Sequence, residues 1–365
     1  MGNCIHKKKI QTTYYNNNNI KYQGEMLNNK KEGYGIEFYE NDNIFYEGKF
    51  VNDKKEGIGI LYRKNGNKMY QGHFLNNLKH GKGIEYINNN YIIYQGKYVE
   101  NLKDGYGILY HYNNNNTILY KGYWSKNDKN GYGVYYDENK NKIFEGISKN
   151  GILYIGNEYY NNGNIKFKGI YYHNEYYKKG FIYQNNKCIY KGEFLNNKKN
   201  GYGIEYDSEN NIIYKGEYEN NEKNGYGIQY LNNNNFYKGS YKNNIKNGYG
   251  ILLINNTLYK GDFKNNSKNG YGLYFENNQL VYNGEWSNDK YNGKGLLYNN
   301  NILLYKGSFK MSQRHGFGIL FYKDNNILYK GKWCNNMTHG YGIEFDNKNN
   351  ILYEGEWINN KKNKY

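Results

Sequence analysis

The chain has 365 residues, with 50 tyrosines, 72 asparagines, 45 glycines, no proline and no alanine, and its formal net charge is 50 − 33 = +17. The absence of alanine, the best helix former, together with the excess of tyrosine, isoleucine and glycine disfavours a helical protein. No run approaches 18 consecutive apolar residues and no signal-peptide pattern opens the chain, so we expect neither a transmembrane helix nor secretion.

Two further counts narrow the class of protein. The three cysteines, Cys4, Cys188 and Cys334, do not have the spacing of a disulfide framework or of a metal site. Aromatic residues make up 19% of the chain, which is more than is typical of a disordered segment. We therefore expect a folded, all-β protein in a reducing, cytosolic setting.

The N-terminal sequence Met-Gly-Asn-Cys, followed by Lys7, Lys8 and Lys9, has the pattern of a lipidation signal. Removal of the initiator methionine would expose Gly2 for myristoylation, and Cys4 is suitably placed for palmitoylation. One myristoyl chain binds a membrane only marginally, so a second acyl chain or a basic cluster is needed. This terminus offers both, and we expect acylation at these two residues.

One residue argues against this signal. His6 stands where serine or threonine is usual in a myristoylation sequence. The alternative interpretation is an ordinary disordered tail that happens to begin with glycine. In either case, residues 1–21 precede the regular part of the chain and are predicted to form an N-terminal tail.

From residue 22 onward the chain is built from one repeat, which starts with an aromatic residue followed two positions later by glycine. With the first aromatic residue as position 0, glycine stands at +2, +11 and +13 in twelve repeats, and position +4 is aromatic in all but two of the fifteen. A period of 22 to 26 residues indicates a repeat architecture. The repeats begin at Tyr22, Tyr46, Tyr70, Tyr94, Tyr120, Phe144, Phe167, Tyr190, Tyr214, Tyr237, Tyr259, Tyr282, Tyr305, Tyr329 and Tyr353.

Each repeat is predicted to be a β-hairpin, because the offsets within each half of the repeat are even. The first strand would carry its rings at 0 and +4 on one face. The second would carry +12, +14 and +16 on one face and its glycines on the other. A glycine opposite a ring lets the ring lie against the backbone, which suits a single-layer sheet.

Two connections follow from the spacing. The pair Asn-Gly at +10 and +11, as in Asn200-Gly201, predicts the hairpin turn, since this pair favours positive φ angles. All variation in repeat length falls after +16, in asparagine runs such as 113–116 and 232–235. The connection between repeats is therefore predicted to be a length-tolerant surface loop.

Residues 144–189 depart from the pattern. Ile155 and Asn157 replace the glycines at +11 and +13 of one repeat, and Lys178 replaces the +11 glycine of the next, which keeps Gly180 at +13. A kink, a partner site and simple sequence decay all remain open as explanations.

The chain therefore divides into four segments. The tail over 1–21 is followed by five complete repeats over 22–143 and by two degenerate repeats over 144–189. Seven complete repeats and a truncated one, predicted to be an end cap, occupy 190–365.

The order Tyr190-Lys-Gly-Glu-Phe194 followed by Gly201-Tyr-Gly-Ile204 resembles the MORN repeat (membrane occupation and recognition nexus). The resemblance covers nearly the whole chain, with about fourteen repeats. It implies an elongated, single-layer antiparallel sheet of β-hairpins laid side by side. Some relatives carry such repeats beside a lipid-kinase or methyltransferase domain, but here the repeats fill the chain.

No enzyme signature is found. The repeated Gly-x-Gly lies within predicted hairpins and lacks the helix that must follow a phosphate-binding loop. His80, His315 and His339 stand at +10 and are predicted to be turn residues. The carboxylates at +3, such as Glu193 and Glu285, are explained by a solvated polar face. We expect no catalytic residue, no cofactor and no metal.

Position +9 is basic in ten of the twelve complete repeats. If the hairpins stack in register, these residues line one long edge of the sheet and would attract anionic phospholipids, at about 1 kcal/mol per residue. The alternative role is to keep the sheet soluble. Nucleic acid is not expected, because only two residues are arginine and most rings are needed for packing. The ten residues are Lys31, Lys55, Lys79, Lys103, Lys129, Lys199, Lys223, Lys246, Lys268 and Arg314.

The sequence thus predicts a non-enzymatic scaffold tethered by N-terminal acylation to the cytosolic face of a membrane, either the plasma membrane or the membrane skeleton beneath the surface. Its ring-and-glycine face or its lysine edge would contact anionic phospholipids and membrane-skeleton proteins. Two alternatives stay open: a soluble cytoskeletal or assembly protein that binds proteins or forms a homo-oligomer, and a regulatory partner of a lipid kinase.

Overall fold

The computed structural model describes residues 8–112, 117–232 and 234–363. The chain divides into two compact units, Met1–Lys187 and Cys188–Tyr365. Within the described residues there is no helix that could span a membrane. Both units are all-β.

The first unit is a single-layer antiparallel sheet in which each strand pairs with the next one along the chain. Its first strand lies within the predicted tail, so part of that tail extends the sheet. The strands are β1 (Lys9–Tyr14), β2 (Ile20–Leu27), β3 (Lys30–Phe38), β4 (Ile44–Val51), β5 (Lys54–Tyr62), β6 (Lys68–Leu75), β7 (Leu78–Tyr86), β8 (Ile92–Val99), β9 (Leu102–Tyr110), β10 (Ile118–Ser125), β11 (Asp128–Tyr136), β12 (Lys142–Lys149), β13 (Ile152–Tyr159), β14 (Ile165–Tyr172) and β15 (Glu175–Gln184).

The second unit repeats this architecture of successive antiparallel hairpins and ends in a two-residue strand that closes the truncated repeat. The strands are β16 (Lys187–Leu195), β17 (Lys198–Tyr206), β18 (Ile212–Glu219), β19 (Glu222–Asn232), β20 (Asn235–Lys242), β21 (Ile245–Ile254), β22 (Thr257–Lys264), β23 (Ser267–Glu276), β24 (Gln279–Ser287), β25 (Lys290–Asn299), β26 (Ile302–Lys310), β27 (Gln313–Phe321), β28 (Ile327–Cys334), β29 (Met337–Phe345), β30 (Ile351–Ile358) and β31 (Lys361–Lys362).

The hairpin turn of each repeat lies at +6 and +7, so the prediction that placed it at Asn-Gly was wrong. Both turn residues have positive φ, as in Asn196 (50°) and Asn197 (62°), which is the geometry that matches the twist of the flanking strands. The Asn-Gly pair lies farther along, inside the second strand, where Gly201 has a φ of 84°. There it forms a β-bulge, since three residues of β17 lie opposite one residue of β16.

The same correction applies to the three histidines at +10. His80, His315 and His339 lie in strands, next to the bulge glycine, and not in turns. Both the asparagine pair and Asn-Gly tolerate positive φ, so local sequence does not distinguish turn from bulge. Strand pairing decides between them.

The hydrophobic core of each unit lies on one face of the sheet. The ring at position 0 covers two glycines that face each other across the hairpin: Gly72 pairs with Gly83, and an added Cβ at either would overlap the ring of Tyr70. The Tyr70 hydroxyl donates a hydrogen bond to the carbonyl of His73 at 3.1 Å. This confirms that a glycine opposite a ring lets the ring lie on the backbone.

Rings at 0 and +4 interlock between neighbouring repeats. The ring of Tyr46 makes edge-to-face contacts with Phe50 of its own repeat and with Phe74 of the next, both at 5.2 Å between centroids. All four tryptophans stand at +4, and each donates its indole N–H to the carbonyl of a +13 glycine, as Trp286 does to Gly272 at 3.2 Å. Edge-to-face pairing adds about 0.5–1.5 kcal/mol beyond area burial.

The degenerate repeats keep the row of facing glycines. Gly156, one position early at +12, pairs with Gly146, because this hairpin is one residue shorter at the bulge. Lys178 adopts the left-handed φ of the missing +11 glycine, at 54°. The sequence departure therefore leaves the pairing of β12 to β15 intact.

Candidate functional site: the open face of the sheet

The two faces of each sheet differ in what they expose. On the face that carries positions 0 and +4, here called the ring face, the position-0 tyrosines are almost fully buried; Tyr46, Tyr70 and Tyr94 are 0% exposed. Their glycines lie beneath them. The predicted ring-and-glycine contact surface is therefore covered by its own side chains, since the core occupies it.

The ten basic residues at +9 form a row on the ring face of each unit, five residues in each, one residue pair in from the hairpin turn. Each lies over the ring at position 0 of its own repeat, at 4.4–5.8 Å between the cationic centre and the ring centroid. Cation–π contact contributes about 0.5–2 kcal/mol. The row was expected along an edge; its charged groups instead turn inward over the rings.

Carboxylates at +15 neutralise part of this row. Glu37 pairs with Lys31 and, at 3.1 Å, with Lys55, and these side chains are 14–21% exposed. Burial alone would raise the pKa of Glu37, but the hydrogen bond from Lys31 and the charge of Lys55 outweigh it, so the pKa is lowered. Glu85 and Glu205 each bridge two lysines in the same way.

Burial also acts on several lysines of the row themselves. It lowers the pKa of Lys129, Lys223, Lys246 and Lys268. Nearby carboxylates partly offset this at the last three, whereas the charge of Lys199 lowers the pKa of Lys223 further. The row is therefore half-buried and held by rings and carboxylates.

The opposite face, here called the open face, carries positions +1, +3, +12 and +14 and exposes a second set of aromatic residues. Position +12 is 49–65% exposed wherever it is apolar. Each +12 residue pairs across the sheet with the +3 residue of the next repeat, as Tyr202 does with Glu217. The apolar +12 residues are Tyr34, Ile58, Tyr106, Tyr132, Tyr202, Tyr226, Tyr249, Tyr271, Phe317 and Tyr341.

In the two complete repeats where +12 is lysine, a groove opens on this face. One, of about 660 Å³, surrounds Lys82 and has Ile58 and Tyr106 as its walls and Ile84 and Ile108 on its floor. Another, of about 470 Å³, surrounds Lys294 between Tyr271 and Phe317. Each arises because a flexible lysine replaces a ring between two flanking apolar side chains. The strand periodicity of the sequence places +12 on one face but does not indicate this site, although the substitution of lysine at a fixed offset could have revealed it.

The residues of the predicted lipidation signal, Gly2 and Cys4, and the basic Lys7 lie outside the described residues. Lys8 lies 3.5 Å from the carboxylate of Glu25, and Lys9 begins β1. The role of these N-terminal residues in membrane binding stays a prediction.

No cysteine or histidine in the described ranges forms a metal cluster with other candidate ligands. The Cys188 thiol donates to the carbonyl of Tyr190 at 3.4 Å, and burial raises the pKa of this thiol. A raised pKa disfavours the nucleophilic thiolate. The Cys188 thiol therefore lacks the environment of a reactive cysteine. Cys334 is half-buried and unpaired.

Comparison with known proteins gives one family. The MORN repeat family matches thirteen segments and leaves 143–189 unmatched, in agreement with the degenerate repeats. The matched segments are 22–44, 46–68, 70–90, 94–116, 120–142, 190–211, 214–236, 237–256, 259–279, 282–301, 305–327, 329–350 and 353–363.

No curated protein matches the sequence. Among solved structures, the chain is similar to the Tc holotoxin pore of Photorhabdus luminescens, with 9% identity and a TM-score of 0.17 over 95% of this chain and 18% of that one. It is also similar to a TcdB2–TccC3–Cdc42 structure, with 9% identity and a TM-score of 0.14 over 96% of this chain and 16% of that one. The chain thus spans less than a fifth of these toxin chains.

Proposed function

The chain belongs to the MORN repeat family, and from that premise we propose a scaffold whose open face binds protein partners while its N-terminus holds it at the cytosolic face of a membrane. Repeats of this family generally form non-enzymatic scaffolds for protein or membrane binding. The proposal assigns no catalytic role to any residue of this chain.

The row of exposed +12 side chains on the open face is the observation that carries this proposal. Tyr249 and Tyr271, for example, are 58% and 56% exposed although comparable rings on the ring face are buried. Exposed apolar surface flanked by polar residues is typical of interaction sites, and tyrosine is enriched there because it offers both ring contact and a hydroxyl. A membrane-skeleton protein is the proposed class of partner.

The tether is proposed from the sequence of the N-terminus. Gly2 would carry myristate and Cys4 palmitate, with Lys7, Lys8 and Lys9 adding attraction to anionic lipid. The test is membrane fractionation of the full chain and of Gly2→Ala. We expect the variant to move to the soluble fraction; if it stays fully membrane-bound, the tether proposal is wrong. Mass spectrometry of the mature N-terminus would identify both acyl groups directly.

The basic row at +9 is proposed to add a diffuse positive field and not direct headgroup contacts, because its members lie over rings. The proposal predicts weak, salt-sensitive binding of residues 22–365 to phosphatidylserine vesicles. Tight binding that persists in high salt would contradict it and would favour direct lipid contacts by the repeats.

The soluble alternative is favoured by His6, which departs from the usual myristoylation sequence. In that case the same open face would serve a cytoskeletal or assembly protein, or self-association into a homo-oligomer. An unmodified Gly2 and Cys4 in the mature protein would support this alternative over the tethered one.

A further inference from the structure

The β-bulge of each complete repeat offers a site for a carboxylate on the open face, and several repeats fill it themselves. The backbone N–H of Tyr271 donates to the carboxylate of Asp262 at 3.2 Å, and that of Lys294 donates to Glu285 at 3.1 Å. In each case the acid stands at +3 and the donor at +12 of the same hairpin. A backbone that turns through a left-handed residue presents its N–H groups to anions.

The +3 acid recurs in other hairpins. Glu193 accepts from the N–H of Tyr202 at 3.4 Å, and the carboxylates of Glu25 and Glu217 lie against the bulge glycines of their own hairpins. Five hairpins therefore place a carboxylate at the bulge. The chain itself thus demonstrates which chemical group this site takes.

Four successive complete repeats of the first unit lack that acid; the first three carry a lysine or histidine in its place, and the fourth has Tyr123. Position +3 is Lys49, His73 and Lys97 in the repeats that begin at Tyr46, Tyr70 and Tyr94. The stems of these side chains lie beside the bulge glycines; the Cδ of Lys97 is 2.8 Å from where a Cβ would stand on its bulge glycine. Within the described residues, no side chain accepts a hydrogen bond from the +12 N–H of these three hairpins.

Positive charge accumulates around these open bulges. Lys82 pairs directly across the sheet with Lys97, an arrangement of like charges that destabilises a sheet. In the part of the chain that the structure describes, neither lysine forms an ion pair, and Lys49 forms none either. Lys82 and Lys97 both line the 660 Å³ groove. The lining of this groove also includes His73 but no carboxylate.

We propose that this groove binds an extended acidic segment of a partner protein, with one carboxylate seated at each of the three open bulges. The bulges lie on every second strand, about 9.6 Å apart at 4.8 Å per strand. This matches three residues of a chain in the polyproline II conformation at about 3.1 Å each, in which every third side chain points the same way. The segment therefore crosses the strands and carries an acid at every third position. Its intervening apolar side chains contact Ile58 and Tyr106.

This inference deepens the proposed function, since it rests on the open face as a protein-binding surface. It is independent of the N-terminal tether, so a failure of either is recognisable: the fractionation of Gly2→Ala tests the tether alone. The test here uses the full chain and a labelled nine-residue peptide of glutamate, valine and serine, with glutamate at its second, fifth and eighth positions.

Fluorescence anisotropy is expected to show at least about tenfold tighter binding of this peptide than of a peptide of the same composition with its three glutamates consecutive. Lys97→Glu would install the self-filling acid and weaken binding by about tenfold or more. Lys126→Glu is the charge-matched control. Lys126 lies in a hairpin turn of the same unit, and Glu100 occupies the equivalent turn position of the preceding repeat. This control substitution should change the binding of the peptide by less than about twofold.

A gain of function makes the test independent of any loss of folding. Asp262→Lys combined with Glu285→Lys, next to Ser308, opens three successive bulges around the groove at Lys294 in the second unit. We expect this variant to bind a second equivalent of the spaced peptide.

The proposal is overturned if the two peptides bind equally, if Lys97→Glu and Lys126→Glu weaken binding equally, or if the double variant binds no second equivalent. It is also overturned if phosphatidylserine vesicles, and not the spaced peptide, show the dependence on Lys97. That last result would assign the groove to lipid.

Discussion

At the residue scale, glycine and asparagine each have different structural roles at different offsets of the repeat, which the composition of the chain does not reveal. Glycines at +2 and +13 make room for a ring, and the glycine at +11 shapes a bulge. Asparagine at +7 combines a left-handed backbone with a bond to the neighbouring repeat: Asn101 has a φ of 69°, and its side-chain oxygen accepts from the N–H of Lys79 at 2.8 Å. These structural roles explain why both residue types recur at fixed offsets.

Gly83→Ala is expected to destabilise the protein by about 2–3 kcal/mol, because the added methyl group overlaps the buried ring of Tyr70. The shift of the urea unfolding midpoint measures this. Gly66→Asn is the control: Gly66 lies in open space with a φ of 80°, which asparagine tolerates, so the change should stay within about 0.5 kcal/mol. Equal effects of the two substitutions would contradict the packing role of Gly83.

Asn101→Ala is expected to cost about 2 kcal/mol, roughly half from the lost hydrogen bond and half from placing alanine at positive φ. Asn101→Gly separates the two effects, since glycine keeps the backbone conformation but not the bond; it should cost about 1 kcal/mol. Thermal unfolding of both variants provides the comparison. If alanine and glycine give the same loss, the backbone contribution is absent.

At the scale of the element, the interlocked rings make each hairpin depend on its neighbours and on neutral tyrosine. Burial raises the pKa of Tyr22 to about 12, and burial likewise raises the pKa of the other position-0 tyrosines of the complete repeats. The stability of each hairpin is therefore expected to fall at alkaline pH.

We expect unfolding to begin near pH 10 and to be complete by about pH 12. The pKa of these tyrosines is higher in the folded state than the value of about 10 in the unfolded chain. The stability that the neutral tyrosines contribute is therefore fully present below pH 10 and is lost as the pH rises through the folded-state pKa. The buried lysines with lowered pKa, such as Lys129, make the free energy of unfolding rise with pH instead. This effect ends near pH 10.5, where lysine in the unfolded chain loses its proton. Circular dichroism against pH measures the transition, and a folded state unchanged at pH 12 would contradict it.

At the scale of the whole molecule, each unit is a quasi-one-dimensional array in which a repeat contacts its neighbours in sequence. The ring of Tyr282, for example, contacts Trp286 of its own repeat and Phe309 of the next. Stability in such an array is a sum of local contributions, so damage should stay local.

Tyr282→Ala should remove about 3–5 kcal/mol of ring packing. Hydrogen exchange is expected to accelerate in β22 to β27 and to stay unchanged in the first unit. Acceleration throughout the first unit would show that the two units unfold together, against this expectation.

The sequence by itself determined the repeat, the hairpin, the all-β class and the ring-over-glycine packing, because each depends on residues at fixed local offsets. It also predicted a basic row at +9 on the condition that the hairpins stack in register, but placed this row along an edge of the sheet. The turn position was wrong, since two asparagine-containing pairs both permit positive φ and only cross-strand pairing separates them. Only the tertiary structure decided which way each row faces: the +9 lysines lie over rings, the +12 side chains are exposed, and a lysine at +12 leaves a groove. Those outcomes depend on contacts between repeats about 24 residues apart, which local spacing does not encode.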